Sequence, residues 1–335
     1  VNVNDLPKKI AGFIEDGASG SFLALALELF EYQYTHNLPY RRLCQTTGIT
    51  PESIVDWEDI PAVPAQAFRL FDLSCRPVSE CPTVFYSSGT TSDRASRHWM
   101  DAEALSLYHT SLRFNFDSQF PNVERLWAVM PNSIESPHSS LSNMLAALSA
   151  EQFAGADLTV FSAQLTEAAR QSIPITLFGT AFGLMELLSL SKIMLPQGSK
   201  VIETGGFKGR FQEIERPDFY DQLGSGFRVG DLECYAEYGM CELASQFYSR
   251  GVNGYLHGPH WIKTRCIDPI TNQDCLPGRP GLLRHYDLAN LNSVIAIQTQ
   301  DRAIAVADGS FRLLGRASDA DLRGCSLTAE ELWST

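Results

Sequence analysis

Hydrophobic positions divide this chain into three stretches of different period. Residues 21–34 read Ser-Phe-Leu-Ala-Leu-Ala-Leu-Glu-Leu-Phe-Glu-Tyr-Gln-Tyr, apolar on most sides of a helical wheel, and predict a helix buried under the rest of its domain. Ile60-Pro61-Ala62-Val63-Pro64 cannot be helical, and its two prolines predict an extended connector. Further on, short apolar runs at 126–130, 158–161, 173–178 and 200–204 read as strands, with helical spacing between them at 101–116, 139–150, 163–171 and 181–193. Strand–helix alternation of this kind predicts an α/β domain with a mainly parallel sheet. From about residue 256 the pattern shortens. Runs at 261–265, 282–285, 294–299, 303–307 and 311–314, separated by Gly, Pro, Asp and Asn, predict antiparallel or barrel-like β structure. No linker rich in Pro, Gly or Ser divides these regions, so one continuous body is expected.

One loop stands out from the pattern. Val84-Phe85-Tyr86 reads as a strand and ends abruptly in Ser87-Ser88-Gly89-Thr90-Thr91-Ser92. Arg94 and Arg97 follow, and Asp101 opens an amphipathic helix. Gly89 lets the backbone turn close to a ligand, while five hydroxyls and two cations suit phosphate oxygens. Ser/Thr/Gly clusters are also ordinary turn chemistry, and on this stretch alone a polar turn and a phosphate cradle are equally good readings.

Composition narrows the partners. With 335 residues, a sizeable core is assured. The net charge of −13 argues against nucleic acid or an anionic membrane as a general partner, since the field of the whole molecule repels both. No apolar run approaches a membrane span and no basic region precedes an apolar one at the N-terminus, so a cytoplasmic protein is expected. The eight cysteines form no C-x-x-C pair and lack zinc-site spacing, which predicts reduced, mostly buried thiols.

Four further stretches bear on chemistry. Thr204-Gly205-Gly206 follows a strand and allows a flat ring against bare backbone. Tyr238-Gly239-Met240-Cys241-Glu242 offers an aromatic face and then a carboxylate suited to Mg²⁺. Asp301 ends a strand with an acceptor for two sugar hydroxyls, and Gly315-Arg316 opens a charged segment. Each alone is more often a solvated loop. Their order resembles that of the adenylate-forming superfamily of acyl and aryl ligases, with five landmarks over residues 87–324.

Within that superfamily the chain resembles the LuxE-type acyl-protein synthetases over roughly residues 10–330. The resemblance is carried by Ile60 to Phe68, by Ser87-Ser88-Gly89-Thr90-Thr91-Ser92 with arginines after it, by Leu177-Phe178-Gly179-Thr180, and by Arg323-Gly324-Cys325-Ser326-Leu327. It implies an adenylate-forming domain over residues 1–316 without the large swivelling lid domain, and a short segment, 317–335, carrying an acyl-acceptor cysteine. It implies ATP and Mg²⁺ as cofactors, activation of a fatty or other carboxylic acid as acyl-AMP, and hand-over to a reductase or acyltransferase partner. Ser87, Ser88, Gly89, Thr90, Thr91 and Ser92 bind phosphates in this reading, with Arg97 as a nearby cation. Gly205, Gly206, Tyr238 and Gly239 frame adenine, Glu242 holds Mg²⁺, and Asp301 with Arg316 holds the ribose. His138, Phe178, Gly179 and Phe182 face the acid, and Cys325 takes the acyl group. The pattern departs from the superfamily at Cys241, where Thr is usual. That thiol is a weaker donor toward the α-phosphate or an alternative acceptor of the acyl group. Delivery to CoA, an amine or a carrier protein, and a non-catalytic scaffold relative, are the competing expectations.

Overall fold

A computed structural model of the chain describes residues 5–17, 20–87, 95–155, 157–205, 214–276, 278–306 and 308–317. It forms two compact units, each discontinuous in sequence: residues 1–114, 240–245 and 258–335 make one, and residues 115–239 and 246–257 the other.

The second unit is the α/β body that the strand–helix alternation predicts. Its six-stranded sheet runs in the order Gln152–Phe153, Leu126–Val129, Thr176–Thr180, Lys200–Thr204, Cys234–Tyr238, Phe247–Arg250. All neighbours are parallel except the last pair. Leu126–Val129 is buried at every position, as expected of a parallel strand covered on both faces. Helices Leu158–Ala169, Ala181–Leu190 and Arg216–Phe227 contribute Phe161, Leu165, Leu184, Leu187, Leu223 and Phe227 to one core with Trp127, Leu177 and Val201.

Residues 158–161, predicted as a strand, are instead the first turn of the helix Leu158–Ala169. Asp157 caps it, its carboxylate accepting from the N–H groups of Thr159 (3.0 Å) and Val160 (3.1 Å). Phe161, Leu165 and Ala168 then fall on one buried face at helical spacing.

The first unit holds the antiparallel part. Ile262–Ile267, Pro280–Asp287 and Ala296–Ala305 pair in that order, Phe311–Arg316 adds to the last, and Val63–Pro64 lies parallel beside it. The proline connector is thus a short edge strand. The runs predicted at 294–299 and 303–307 are one strand, with a register shift between Arg302 and Ala303 where a turn was expected. Helix Phe22–His36 is capped by Ser21 and buries Leu25, Leu29 and Phe30. Gln33, a polar residue on its buried face, donates to the carbonyl of Asn290 (2.7 Å) and accepts from the N–H of Ile295 (2.7 Å), satisfying a turn that has no regular partner. Among the described residues, seven cysteines are free thiols, and six of them are buried. No helix among those residues is long and apolar enough to cross a membrane.

Candidate functional site

In the first unit the strand Thr83–Tyr86 pairs antiparallel with Arg97–Met100. Ser87 closes the neck of the intervening loop, its N–H donating to the carbonyl of Ser96 (3.2 Å) and its hydroxyl accepting from the N–H of Ser96 (3.0 Å). Ser88, Gly89, Thr90, Thr91, Ser92 and Arg94 lie outside the described residues. Arg97 does not face an open loop. Its Nε donates to Asp72 (2.9 Å), which also accepts from the indole of Trp99 (2.8 Å), so that charge already has a counterion.

Next along the same strand, His98 is 1 % exposed and its Nδ1 lies 2.8 Å from the carbonyl oxygen of Cys241. A carbonyl only accepts, so Nδ1 carries the proton. Burial pushes the imidazole down to about 4, which keeps it neutral. This bond ties the strand leaving the serine-rich loop to the segment that carries Glu242. Three more contacts hold that segment. Asn290 donates to the carbonyl of Glu242 (3.0 Å), and the Asp287 carboxylate accepts from the Ala244 N–H (3.1 Å) and the Ser245 hydroxyl (2.8 Å). Burial drives Asp287 up to about 6 against these hydrogen bonds.

Glu242 itself is buried, which raises its pKa, while a hydrogen bond from Ser96 and the charges of Arg69 and Arg316 pull it back. Asp301 and Arg316 are direct register partners on adjacent strands, with Arg316 Nε 3.6 Å from the Asp301 carboxylate. One unit therefore brings together Glu242, Asp301 and Arg316, which the motif order had grouped. It adds Arg69, from the short helix Ala67–Leu70, with Ser96, His98, Asp287 and Asn290 as supports that the motifs did not single out. A buried carboxylate under the influence of two guanidiniums and a serine hydroxyl gathers charges of both signs in one place, an arrangement whose chemistry can take phosphate oxygens and a hard cation together.

Cys241 is buried beside Glu242, and both burial and that carboxylate raise its thiol well above the ordinary value, so it stays protonated.

In the second unit Gly205 has φ +63°, a left-handed turn that bare backbone accepts without strain, directly after the strand Lys200–Thr204. Gly206 lies outside the described residues. Tyr238 ends its strand with its ring 5.8 Å from that of Phe247. His138 is exposed, just before the Ser139 cap of helix Ser140–Ala147. Phe178 is fully buried within the sheet. Gly179 is packed so closely that a Cβ there would lie 2.9 Å from that of Val129 and 3.0 Å from Leu184, so these two positions serve the core. Phe182 is partly buried on the helix that follows. Cys325 lies outside the described residues.

Two buried carboxylates end the adjacent strands. Glu203 is reached by the Tyr220 hydroxyl (3.4 Å) and by Arg216 (3.7 Å), and Glu237 accepts from the Thr204 hydroxyl. Burial pushes each up to about 7. A carboxyl raised on folding contributes stability that is full below its unfolded value, near 4, and is lost as pH rises through 7. Glu203→Gln should therefore gain melting temperature relative to the parent as pH goes from 5 to 8. Thermal unfolding across that range checks it, and a constant difference would remove Glu203 from the account.

His98→Phe keeps the ring but removes the donor to Cys241. We expect the fold to persist and its stability to drop by about 1 kcal/mol, the cost of one lost hydrogen bond. Denaturant unfolding measures this, with His98→Gln, which can donate, restoring part of the loss.

Among solved structures the fold is similar to that of 2-hydroxyisobutyryl-CoA ligase in an open conformation with 2-HIB-AMP and CoA. That likeness has 18% identity and a TM-score of 0.64, covering 88% of this chain and 73% of that one. It is also similar to ATP-bound MatB from Rhodopseudomonas palustris, with 15% identity and a TM-score of 0.51, over 81% of this chain and 56% of that one. At such identities the likeness is one of fold. Among curated proteins none matches the chain significantly in sequence. The sequence model of the family described as acyl-protein synthetase, LuxE, matches residues 115–333. With that match spanning more than half of its length, the chain belongs to the LuxE acyl-protein synthetase family and is a ligase with the adenylate-forming fold.

Proposed function

We propose that the protein activates a carboxylic acid with ATP and transfers the acyl group to its own Cys325, residues 1–316 forming the activating domain and 317–335 the segment that carries the acceptor. The observation that carries this reading is the grouping of Glu242, Asp301, Arg316 and Arg69 in one unit, at the neck of the loop that starts at Ser87. In the first step a carboxylate oxygen of the acid attacks the α-phosphorus, and the bond to the β-phosphate oxygen breaks to release pyrophosphate. Arg69 and Arg316 offset the charge on the phosphates, and Asp301 accepts from the ribose hydroxyls. Alignment of the two reactants supplies the rest of the rate.

The donor set around Glu242 fits Mg²⁺ shared with phosphate oxygens better than a protein-only cage, because among the described residues no three metal-ligating side chains gather to form such a cage. Bound there, the ion would neutralise charge on the phosphates. In the second step the Cys325 thiolate attacks the acyl carbonyl and the C–O bond to AMP breaks, leaving a thioester and AMP. Arg323, two residues before it in sequence, favours a thiolate, and the raised thiol of Cys241 favours Cys325 as the acceptor. The thioester is then the donor to a reductase or acyltransferase. A fatty chain is the acid that the resemblance implies, and the side chains around Glu237 bear on that choice separately.

Acid-dependent exchange of pyrophosphate into ATP tests the first step. The expected result is exchange that needs acid, Mg²⁺ and protein together; ATP hydrolysis without any acid-dependent exchange would overturn it.

A further inference from the structure

Glu237 has a side of its unit that the motif order does not use. Register across the sheet places Thr180, Thr204, Glu237 and Tyr248 in one row, with side chains on one face, at the C-terminal ends of the parallel strands. Alternation puts Tyr238, with its ring contact to Phe247, on the opposite face. A nucleotide base against Tyr238 therefore leaves the Glu237 face to a different group. In open α/β sheets, the carboxyl ends of the strands are where ligands bind.

The row is polar and its acceptors are incompletely used. Glu237 is 6 % exposed; one of its oxygens accepts from Thr204, and among the described residues it makes no ion pair, its charged neighbour being Glu203. Gln246 is 4 % exposed, and its Oε1 has no hydrogen-bond partner among the described residues. Both side chains flank Gly239. A Cβ built on Gly239 would lie 2.6 Å from Glu237 Oε1 and 3.7 Å from Gln246 Cγ. An unmade hydrogen bond at a buried amide oxygen is costly, so such a group is kept where something donates to it. A buried carboxylate and a buried amide whose oxygen lacks a donor among the described residues, on side chains that both flank Gly239, are complementary to a group with several N–H donors. An alkyl chain offers them nothing and leaves both desolvated.

We propose that this face is the specificity pocket for the acid, and that the acid carries an amino group whose N–H donors meet Glu237 and Gln246. The substrate class is then an amino-bearing carboxylic acid rather than an unsubstituted fatty acid. This rests on the adenylation reading and deepens it.

Pyrophosphate exchange on acids matched in size tests it: β-alanine against butyrate, ε-aminocaproate against heptanoate, p-aminobenzoate against p-toluate, and α-amino acids against the deaminated acids. At least one amine should exceed its partner by about a hundredfold or more in kcat/KM, since a site built to bond N–H rejects the analogue that lacks it. Glu237→Gln should lower that amine about a hundredfold while KM for ATP stays within about twofold. Preference for the alkyl member in every pair overturns the amine pocket and leaves adenylation standing. An equal loss for amine and alkyl acids in Glu237→Gln, with KM for ATP raised, also overturns it and makes Glu237 part of the nucleotide site. No exchange with any acid overturns the adenylation reading and this one with it.

Discussion

Glu242→Gln is expected to reduce acyl-AMP formation by about a thousandfold, in the range seen when a charge-stabilising group is removed from a transition state. The substitution preserves shape. Gln still bonds to Ser96, and Asn290 still holds the backbone carbonyl at that position, so the segment 240–245 keeps its path. What disappears is the buried negative charge that Arg69 and Arg316 act on beside the incoming phosphates. The melting temperature should hold or rise, because a buried charge whose desolvation raises its pKa is costly to keep. Exchange kinetics over a Mg²⁺ titration, alongside thermal unfolding, separate a lost ion from a lost fold. An unchanged Mg²⁺ profile would take the ion away from Glu242.

Cys325→Ser should have the second largest effect, and on one half-reaction only. Adenylation uses no atom of Cys325, so pyrophosphate exchange should match the parent. Hydroxylamine-labile acylation of the chain should fall to background, since a serine hydroxyl is a far poorer nucleophile than a thiolate. Labelling that persists in Cys325→Ser and vanishes in Cys241→Ser would move the acceptor to Cys241, in spite of the raised thiol there.

The α/β body is legible in the sequence because its parallel strands are buried at most positions and carry short apolar runs, with helical spacing between them. The misread element, 158–161, is a four-residue apolar run, too short for periodicity to separate strand from helix. Its capping residue, Asp157, was the available signal. The polar stretch Gln300-Asp301-Arg302 looks like a turn between two strands but is the shifted middle of one, held by Phe311–Arg316 alongside. Nor does composition mark the two units, since the chain crosses between them several times and needs no linker.

Of the candidate site in the first unit, Glu242, Asp301 and Arg316 stand in ordered short motifs that the sequence displays. Their supports do not. His98 meets Cys241 across 143 positions, and Asp287 meets Ser245 across 42, so nothing local in the sequence pairs them. The Glu237 face is legible only after register is known, because a Glu before a Tyr in a strand says nothing of what stands beside it.

Intact-mass analysis of the full chain after incubation with ATP, Mg²⁺ and a panel of fatty, aromatic and amino-bearing acids tests the central claim most directly. The account predicts a single adduct, equal to the acid less water, that forms only when ATP and Mg²⁺ are both present, releases AMP in equal amount, is removed by hydroxylamine and maps to Cys325. An unmodified chain beside accumulated AMP and free acyl-hydroxamate would contradict self-acylation, and no adduct with no AMP would contradict the activating ligase itself.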